Sequence, residues 1–287
     1  MKQRVLTAVI GIAALALLLL FFDTPVFNLV FALVCVVAVH EIFNAFQFGK
    51  SHLYLFIGFI PFILLFMLSD YMSVRAWIWP AGYLFVLFLA VCVILSSQSL
   101  NFAKVSGMAV FSAIVVFCFY SLIHLKSLLP RAEYGYDAVY FLILILGYAW
   151  GGDTFAYLVG RALGKHKLAP KVSPNKTVEG AVGGVVGSML VGLLISLAYI
   201  TIWRDSQTWA GVSNIYYLWI TLFGIPASIL GMLGDLFASA VKRQCEIKDY
   251  GTIFPGHGGI LDRFDSVMFV APLVVIAVRV VFYFYLV

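Results

Sequence analysis

Apolar runs long enough to cross a lipid bilayer recur along the whole of this 287-residue chain. A helix needs roughly 20 mostly apolar residues to span the hydrocarbon core of a membrane. Hydrophobic residues make up 63% of the sequence and charged residues 11%, against about a quarter charged in a soluble domain. The sequence therefore predicts an all-α, polytopic integral membrane protein.

The apolar runs, separated by polar or Pro/Gly-containing stretches, predict about nine transmembrane helices in a single integral membrane domain, residues 1–287. The spans within residues 1–130 have less specific sequences. The spans and loops of residues 138–287 contain the candidate catalytic residues. The first run is interpreted as a retained span, with a signal peptide as the alternative, because no small-residue cleavage pattern follows it. The predicted spans are 5–22, 26–47, 53–69, 77–96, 107–125, 138–160, 180–203, 215–240 and 266–286.

The positions of Lys and Arg predict how these spans are oriented, because both residues concentrate in short cytoplasmic loops. With nine spans, thirteen of the eighteen Lys and Arg residues fall on the face of the N-terminus and four on the other, with Arg279 inside the last span. The thirteen are Lys2, Arg4, Lys50, Lys104, Arg161, Lys165, Lys167, Lys171, Lys176, Lys242, Arg243, Lys248 and Arg263. The N-terminus and the two most polar loops, 161–179 and 241–265, are therefore predicted to be cytoplasmic.

The most polar stretch of the chain begins where the eighth predicted span ends. The helix that enters it places Asp235, Ser239, Lys242 and Glu246 at i, i+4, i+7 and i+11, so the four side chains share one face. Asp235 lies about two turns before the basic pair, inside the predicted bilayer boundary. A carboxylate there is costly unless it is paired, hydrated or bound to a cation, which makes Asp235 a candidate functional residue. An ion pair with a basic residue of a neighbouring helix is the alternative.

A glycine-rich turn follows in the same loop. Pro255, Gly256, Gly258 and Gly259 cannot continue a helix, and the glycines let backbone amides approach an anion closely. His257 lies among them and either hydrogen-bonds a phosphate or stabilises the turn. The sequence has no P-loop pattern here, so the glycines alone are weak evidence for phosphate binding.

Carboxylates close to this turn form a candidate metal site. Asp262 and Asp265 are at i and i+3 at the start of the last span, so both can face one point. With Asp249 and Asp235 they make an all-oxygen ligand set, which suits Mg²⁺ bound jointly by carboxylates and substrate phosphates. The cations that can neutralise phosphate charge are Lys242, Arg243, Lys248 and Arg263. A loop that merely touches anionic lipid would explain these basic residues but not the aspartates.

The second polar loop has a similar composition. Asp153 lies in the last turns of the sixth span, and a basic stretch leads from there to "SPNKTVEG". Ser173 or Asn175 is predicted to cap and start the next helix, and direct ligand contact is the alternative. The residues predicted for its first turns are Lys176, Thr177 and Glu179, where the helix dipole favours an anion. The glycines at 180, 183, 184 and 187 are predicted to permit close helix packing.

The stretch 239–265 resembles the signature of the CDP-diacylglycerol synthases, also called phosphatidate cytidylyltransferases. "DTFAY" and "SPNKTVEG" resemble two further blocks of that family, so the resemblance covers about the second half of the chain; no residue of the first half is carried over. The matching residues of the stretch are Ser239, Ala240, Val241, Lys242, Arg243, Lys248, Asp249, Tyr250, Gly251, Phe254, Pro255, Gly256, His257, Gly258, Gly259, Ile260, Leu261, Asp262, Arg263, Phe264 and Asp265.

The resemblance implies a Mg²⁺-dependent reaction in which CTP and phosphatidate form CDP-diacylglycerol and pyrophosphate. It also implies that the reaction takes place in a polar cavity that opens to the cytosol and to lipid. It implies a metal shell from Asp235, Asp249, Asp262 and Asp265, with Asp153 as a further candidate and a second monovalent or divalent cation left open. The catalytic candidates are Lys242, Arg243, Lys248, Asp249, His257, Asp262, Arg263 and Asp265. The substrate-binding candidates are Ser239, Lys176, Ser173, Asn175, Thr177, Glu179, Gly258 and Gly259.

Partners and location follow from the same interpretation. The expected partners are CTP, phosphatidate and membrane lipids; no nucleic acid is expected, and a homodimer is left open because small-residue patterns also serve internal packing. The expected location is a bacterial inner membrane. A transporter for an anionic solute is the main alternative, but no inverted repeat is visible. A membrane kinase that uses CTP is the second alternative, and a purely structural membrane protein is the third.

Overall fold

The computed structural model of the chain describes residues 2–70, 74, 76–95, 100–202, 214–254, 256 and 258–285. Helices form most of this sequence, and one short β-hairpin interrupts them. The helices are α1 (Lys2–Leu19), α2 (Pro25–Ala45), α3 (Leu53–Met67), α4 (Ile78–Leu95), α5 (Phe102–Leu128), α6 (Arg131–Tyr134), α7 (Asp137–Leu146), α8 (Gly152–Leu163), α9 (Val178–Ile202), α10 (Asn214–Gln244), α11 (Leu261–Phe264) and α12 (Val267–Tyr285).

Within the described residues, seven helices are long and apolar enough to cross a membrane. Two shorter apolar helical segments, Val9–Leu19 and Val267–Val280, lie near the ends of the chain. One of the seven spans, Asp137–Leu163, combines α7 and α8 through a π-helical turn at Gly147–Gly151. The prediction of an all-α, polytopic integral membrane protein is confirmed, whereas the count of nine spans and the polar cavity stay predictions.

Helices dominate because a backbone in lipid finds no water to satisfy its polar groups and must bond within its own segment. Prolines at 61, 226 and 272 lie inside α3, α10 and α12 without ending them. Such prolines are tolerated in membrane helices because neighbouring groups satisfy the carbonyl that each one leaves without a donor.

The chain forms two compact units. Unit one contains Met1–Ile123 and Gln244–Arg263. In unit one, α3 packs on both α2 and α4, and Phe27, Phe59 and Phe111 are fully buried. The polar loop that carries most of the family signature therefore belongs to the compact unit of the N-terminal helices. The single-domain organisation stays a prediction.

Unit two contains His124–Arg243 and Phe264–Val287, and its closest helix pair is α8 and α9. A side chain at Gly183 would strike Val159, and one at Gly187 would strike Phe155. The prediction that the glycines of α9 permit close packing is confirmed, because the facing helix occupies the space that their side chains would need.

A two-stranded antiparallel hairpin connects α8 to α9. Strand β1 (Lys167–Ala169) pairs with β2 (Ser173–Thr177), with Lys167 opposite Thr177 and Ala169 opposite Ser173. The predicted helix start at Ser173 or Asn175 is wrong, because both residues lie in strand β2. Helix α9 begins at Val178 instead, and Thr177 caps it: its Oγ1 accepts the N–H of Gly180 at 3.1 Å.

The end of α10 also differs from the sequence prediction. The helix stops at Gln244, and Glu246 lies beyond it in a turn with a φ of 58°. Glu246 therefore does not extend the helical face of Asp235, Ser239 and Lys242. A left-handed residue after the last helical turn reverses the chain, so the polar loop leaves the helix axis at this point.

Candidate functional site

Three carboxylates lie together in unit two. Asp153 is in the first turn of α8, Asp235 is in the C-terminal half of α10, and Asp265 lies in the turn between α11 and α12. Withdrawal from water raises the pKa of the Asp265 carboxyl well above its usual range, the negative charges of Asp235 and Asp153 raise it further, and Lys242 opposes the shift. The three carboxylates thus form one electrostatic cluster, the acidic cluster.

The backbone explains how two members of the acidic cluster come so close. A side chain at Gly234 would strike the carbonyl oxygen of Asp265. Glycine at 234 therefore lets the turn before α12 lie directly against α10, next to Asp235.

Two lysines and a hydroxyl surround the acidic cluster. Lys176 Nζ lies 2.6 Å from Asp235 Oδ2, and Ser239 Oγ donates a hydrogen bond to Asp235 Oδ1 at 3.1 Å. Lys242 is 9% exposed and acts electrostatically on Asp265. The ion pair that was the alternative interpretation of Asp235 is present, although its partner comes from β2 and not from a helix. The raised pKa of Asp265 indicates too little positive charge around its carboxylate, and a bound cation would favour the ionised form.

The oxygen atoms of the acidic cluster are of the type that binds Mg²⁺. Carboxylate and hydroxyl oxygens are the ligands that this ion prefers. In the part of the chain that the structure describes, no group of three acidic, histidine or cysteine side chains is arranged to hold an ion by itself. Mg²⁺ in phosphate-processing sites is bound by one or two carboxylates together with substrate phosphates and water, so it does not require such a group.

The β-hairpin is fixed to α9 by Glu179. Its carboxylate accepts the N–H of Lys165 at 3.0 Å and that of His166 at 3.2 Å, and it pairs with His166 Nδ1 at 2.6 Å. Arg243 Nε donates to the carbonyl of Val172 at 3.4 Å. Glu179 and Arg243, both predicted to contact substrate, therefore contact the hairpin that carries Lys176.

The remaining candidates of the hairpin take different positions. Thr177 is buried and its hydroxyl caps α9, Ser173 is half-buried, and Asn175 is exposed. Only Lys176 among the residues of β2 reaches the acidic cluster, through Asp235.

The polar loop in unit one is organised around Asp262. This carboxylate is 7% exposed, and its Oδ2 accepts the N–H of Tyr250 at 2.8 Å and that of Gly259 at 2.9 Å. Gly258 has a φ of 81°, and a side chain there would meet Asp262 Oδ2 at 2.8 Å. Asp262, predicted as a metal ligand, thus also holds the two ends of the glycine turn together.

Glu41, to which the sequence patterns assigned no role, contacts the polar loop. It lies in α2, is 3% exposed, and accepts the N–H of Ile260 at 3.0 Å and that of Leu261 at 2.9 Å. A lone carboxylate within an apolar span is by itself a sign of function. Its partner could not be identified from sequence, because more than 200 residues separate the two.

The other candidates of this loop lie on its surface. Lys248, Asp249 and Arg263 are exposed. His257 lies outside the described residues. The metal-binding and catalytic roles predicted for these residues, and for Asp262, stay predictions.

Comparison with known proteins agrees with the sequence resemblance. A sequence model of the cytidylyltransferase family matches residues 2–281. The chain is 33% identical to the phosphatidate cytidylyltransferase of Bacillus subtilis (strain 168) over 95% of both chains. It is 44% identical to that of Staphylococcus epidermidis (strain ATCC 12228) over 50% of this chain and 49% of the relative, and 41% identical to that of Staphylococcus haemolyticus over 48% of each. The protein belongs to the cytidylyltransferase family.

Proposed function

We propose that this protein is a phosphatidate cytidylyltransferase, which converts CTP and phosphatidate into CDP-diacylglycerol and pyrophosphate in phospholipid biosynthesis. The similarity to the Bacillus subtilis relative over nearly the whole of both chains supports the substrates. The acidic cluster with its two lysines supports the site, because phosphate transfer needs a cation-binding centre flanked by positive charge.

The proposed reaction is a displacement at the α-phosphorus of CTP. A phosphate oxygen of phosphatidate forms a bond to that phosphorus, the bond to the bridging oxygen of the β-phosphate breaks, and pyrophosphate leaves with the bonding electrons. The nucleophile is already an anion, so no strong general base is required. Positioning of the two substrates and neutralisation of their charge then supply most of the acceleration.

Lysine side chains supply part of that neutralisation. Lys242 is nearly buried beside the acidic cluster, and Lys176 is held there by Asp235. A partly buried lysine interacts with phosphate more strongly than an exposed one, because less water screens it. We propose that these two lysines bind the phosphates of the substrates.

The acidic cluster would contribute one or two of its carboxylates, from among Asp235, Asp265 and Asp153, to Mg²⁺ that substrate phosphates also bind, with the hydroxyl of Ser239 as a further ligand. When bound, the ion neutralises triphosphate charge and makes pyrophosphate a better leaving group. A second cation and the metal contacts of Asp249 and Asp262 are part of the same proposal, supported by the family resemblance.

We place the acidic cluster and the polar loops at the cytoplasmic face of a bacterial inner membrane. The bias of Lys and Arg toward the loops that share a face with the N-terminus supports this orientation, and the relatives named above are bacterial. CTP is a cytosolic metabolite and phosphatidate a membrane lipid, so a site at this boundary is accessible to both. A homodimer stays a prediction.

Pyrophosphate release by the purified protein in detergent tests the activity. We expect release that requires CTP, phosphatidate and Mg²⁺ together, and none when any one of them is omitted. Appearance of CDP in place of pyrophosphate would instead assign a CTP-dependent kinase. Neither product from a folded preparation would favour the transporter.

A further inference from the structure

We propose that Glu41 of α2 is a positioning residue of the active site, which fixes the polar loop of residues 248–263 in its working conformation. The inference rests on the proposed function, because this loop carries the basic and acidic residues of the stretch that resembles the family signature.

The contacts of Glu41 define the orientation of the loop. Its two carboxylate oxygens bind two different backbone amides, Oε1 that of Ile260 and Oε2 that of Leu261. Two hydrogen bonds to successive amides fix both the position and the rotation of the segment around Ile260 and Leu261. A single hydrogen bond would leave the rotation free. Asp262 and Arg263 follow immediately in the chain.

The loop is shaped to surround this carboxylate. A side chain at either Gly251 or Gly259 would strike the carboxylate of Glu41. Gly259 does not have a positive φ, so its backbone alone does not demand glycine. The close approach of Glu41 is the physical reason for glycine at this position.

A second buried carboxylate lies close to Glu41. Asp262 accepts the N–H of Gly259, the residue against which Glu41 lies, and each of the two carboxylates accepts two backbone amides of the loop. Like charges close together are costly in a buried site. A neutral or apolar side chain in α2 would avoid that cost, so the arrangement favours a role beyond packing.

The test compares Glu41→Gln with a matched control, Glu133→Gln, which makes the same chemical change at an exposed position of α6. Glutamine keeps the size of the side chain but has only one acceptor oxygen. We expect Glu41→Gln to lower kcat by about tenfold or more while the KM for CTP stays within about threefold, since misplacement by about 1 Å can cost that much. Glu133→Gln should match wild type in both constants.

Hydrogen exchange of the peptide containing residues 259–262 supplies a readout that does not depend on activity. Loss of one acceptor should speed exchange of at least one of the Ile260 and Leu261 amides by about tenfold or more in Glu41→Gln, while exchange in α9 stays unchanged. A wild-type kcat or unchanged exchange at these amides would overturn the proposal. So would a fall in kcat that only parallels a general loss of helix content.

Gly259→Ala is the second variant and leaves Glu41 itself intact. The added methyl displaces the carboxylate, so we expect a kcat defect like that of Glu41→Gln. Combined with Glu41→Asp, which shortens the side chain, Gly259→Ala should cost less than the product of the two single effects. If the fall in kcat of the double variant equals the product of the two single falls, the proposal is contradicted. This result decides the question even if Glu41→Gln does not fold.

If the wild-type protein releases no pyrophosphate, the proposed function fails. Hydrogen exchange of the loop amides still decides whether Glu41 holds the loop.

Discussion

At the scale of single residues, the acidic cluster contains the costly groups of the molecule. Asp153, Asp235 and Asp265 are half-buried, the charges of Asp235 and Asp153 both act on Asp265, and Lys176 and Lys242 lie beside them. Such an arrangement opposes folding unless a cation or a substrate uses it. The proposed Mg²⁺ and phosphate binding would offset that cost.

We predict that Asp265→Asn lowers kcat by about 100-fold or more while the protein still inserts into the membrane and folds, because a neutral amide cannot contribute charge to a Mg²⁺ site. Asp262→Asn should also lower turnover, since the amide lacks the charge that the proposed metal contact of Asp262 requires. Pyrophosphate release measures both. Asp23→Asn, in an exposed turn, is the control. Wild-type turnover in both active-site variants would contradict the metal assignment.

Sequence reasoning identified Asp153, Asp235 and Asp265 because carboxylates in or beside apolar spans are conspicuous. It left Glu41 undecided, because its partners are backbone amides of a distant loop and backbone amides leave no trace in residue type. It also predicted direct substrate contact for Glu179, whose carboxylate binds Lys165 and His166.

At the scale of elements, hydropathy predicted the helices well, since lipid forces each apolar run into a helix that satisfies its own backbone. It failed at the hairpin. Ser173, Pro174 and Asn175 have the composition of a helix start, and only pairing with β1 makes them a strand. A strand defined by its partner is a non-local feature, so local patterns do not predict it.

We predict that Gly187→Leu lowers the unfolding temperature of the protein in detergent by several degrees, because the side chain would strike Phe155 and separate α8 from α9. Overpacking of this kind costs about 1–3 kcal/mol. Gly82→Leu is the matched control, since a side chain at Gly82 meets no atom within 4 Å. Equal unfolding temperatures for the two variants would contradict close packing at α9.

At the scale of the whole molecule, orientation in the membrane is the property that connects the loops to their substrates. We predict that Lys171→Cys reacts with a membrane-impermeant maleimide from the cytoplasmic side only, and Glu133→Cys from the opposite side only. Both positions are exposed, and the distribution of Lys and Arg sets their sides. Labelling in right-side-out and inverted vesicles measures this. Reaction of both cysteines from one side would contradict the topology.

The fate of the α-phosphate of CTP tests the central claim most directly. The protein is incubated with phosphatidate and Mg²⁺, and with CTP labelled either at the α- or at the γ-phosphate. We expect the label of the α-phosphate to move into the lipid phase and the label of the γ-phosphate to leave as pyrophosphate. A γ-label in the lipid phase would show phosphoryl transfer, and no label in lipid with either CTP would show no transfer; each result would contradict cytidylyl transfer.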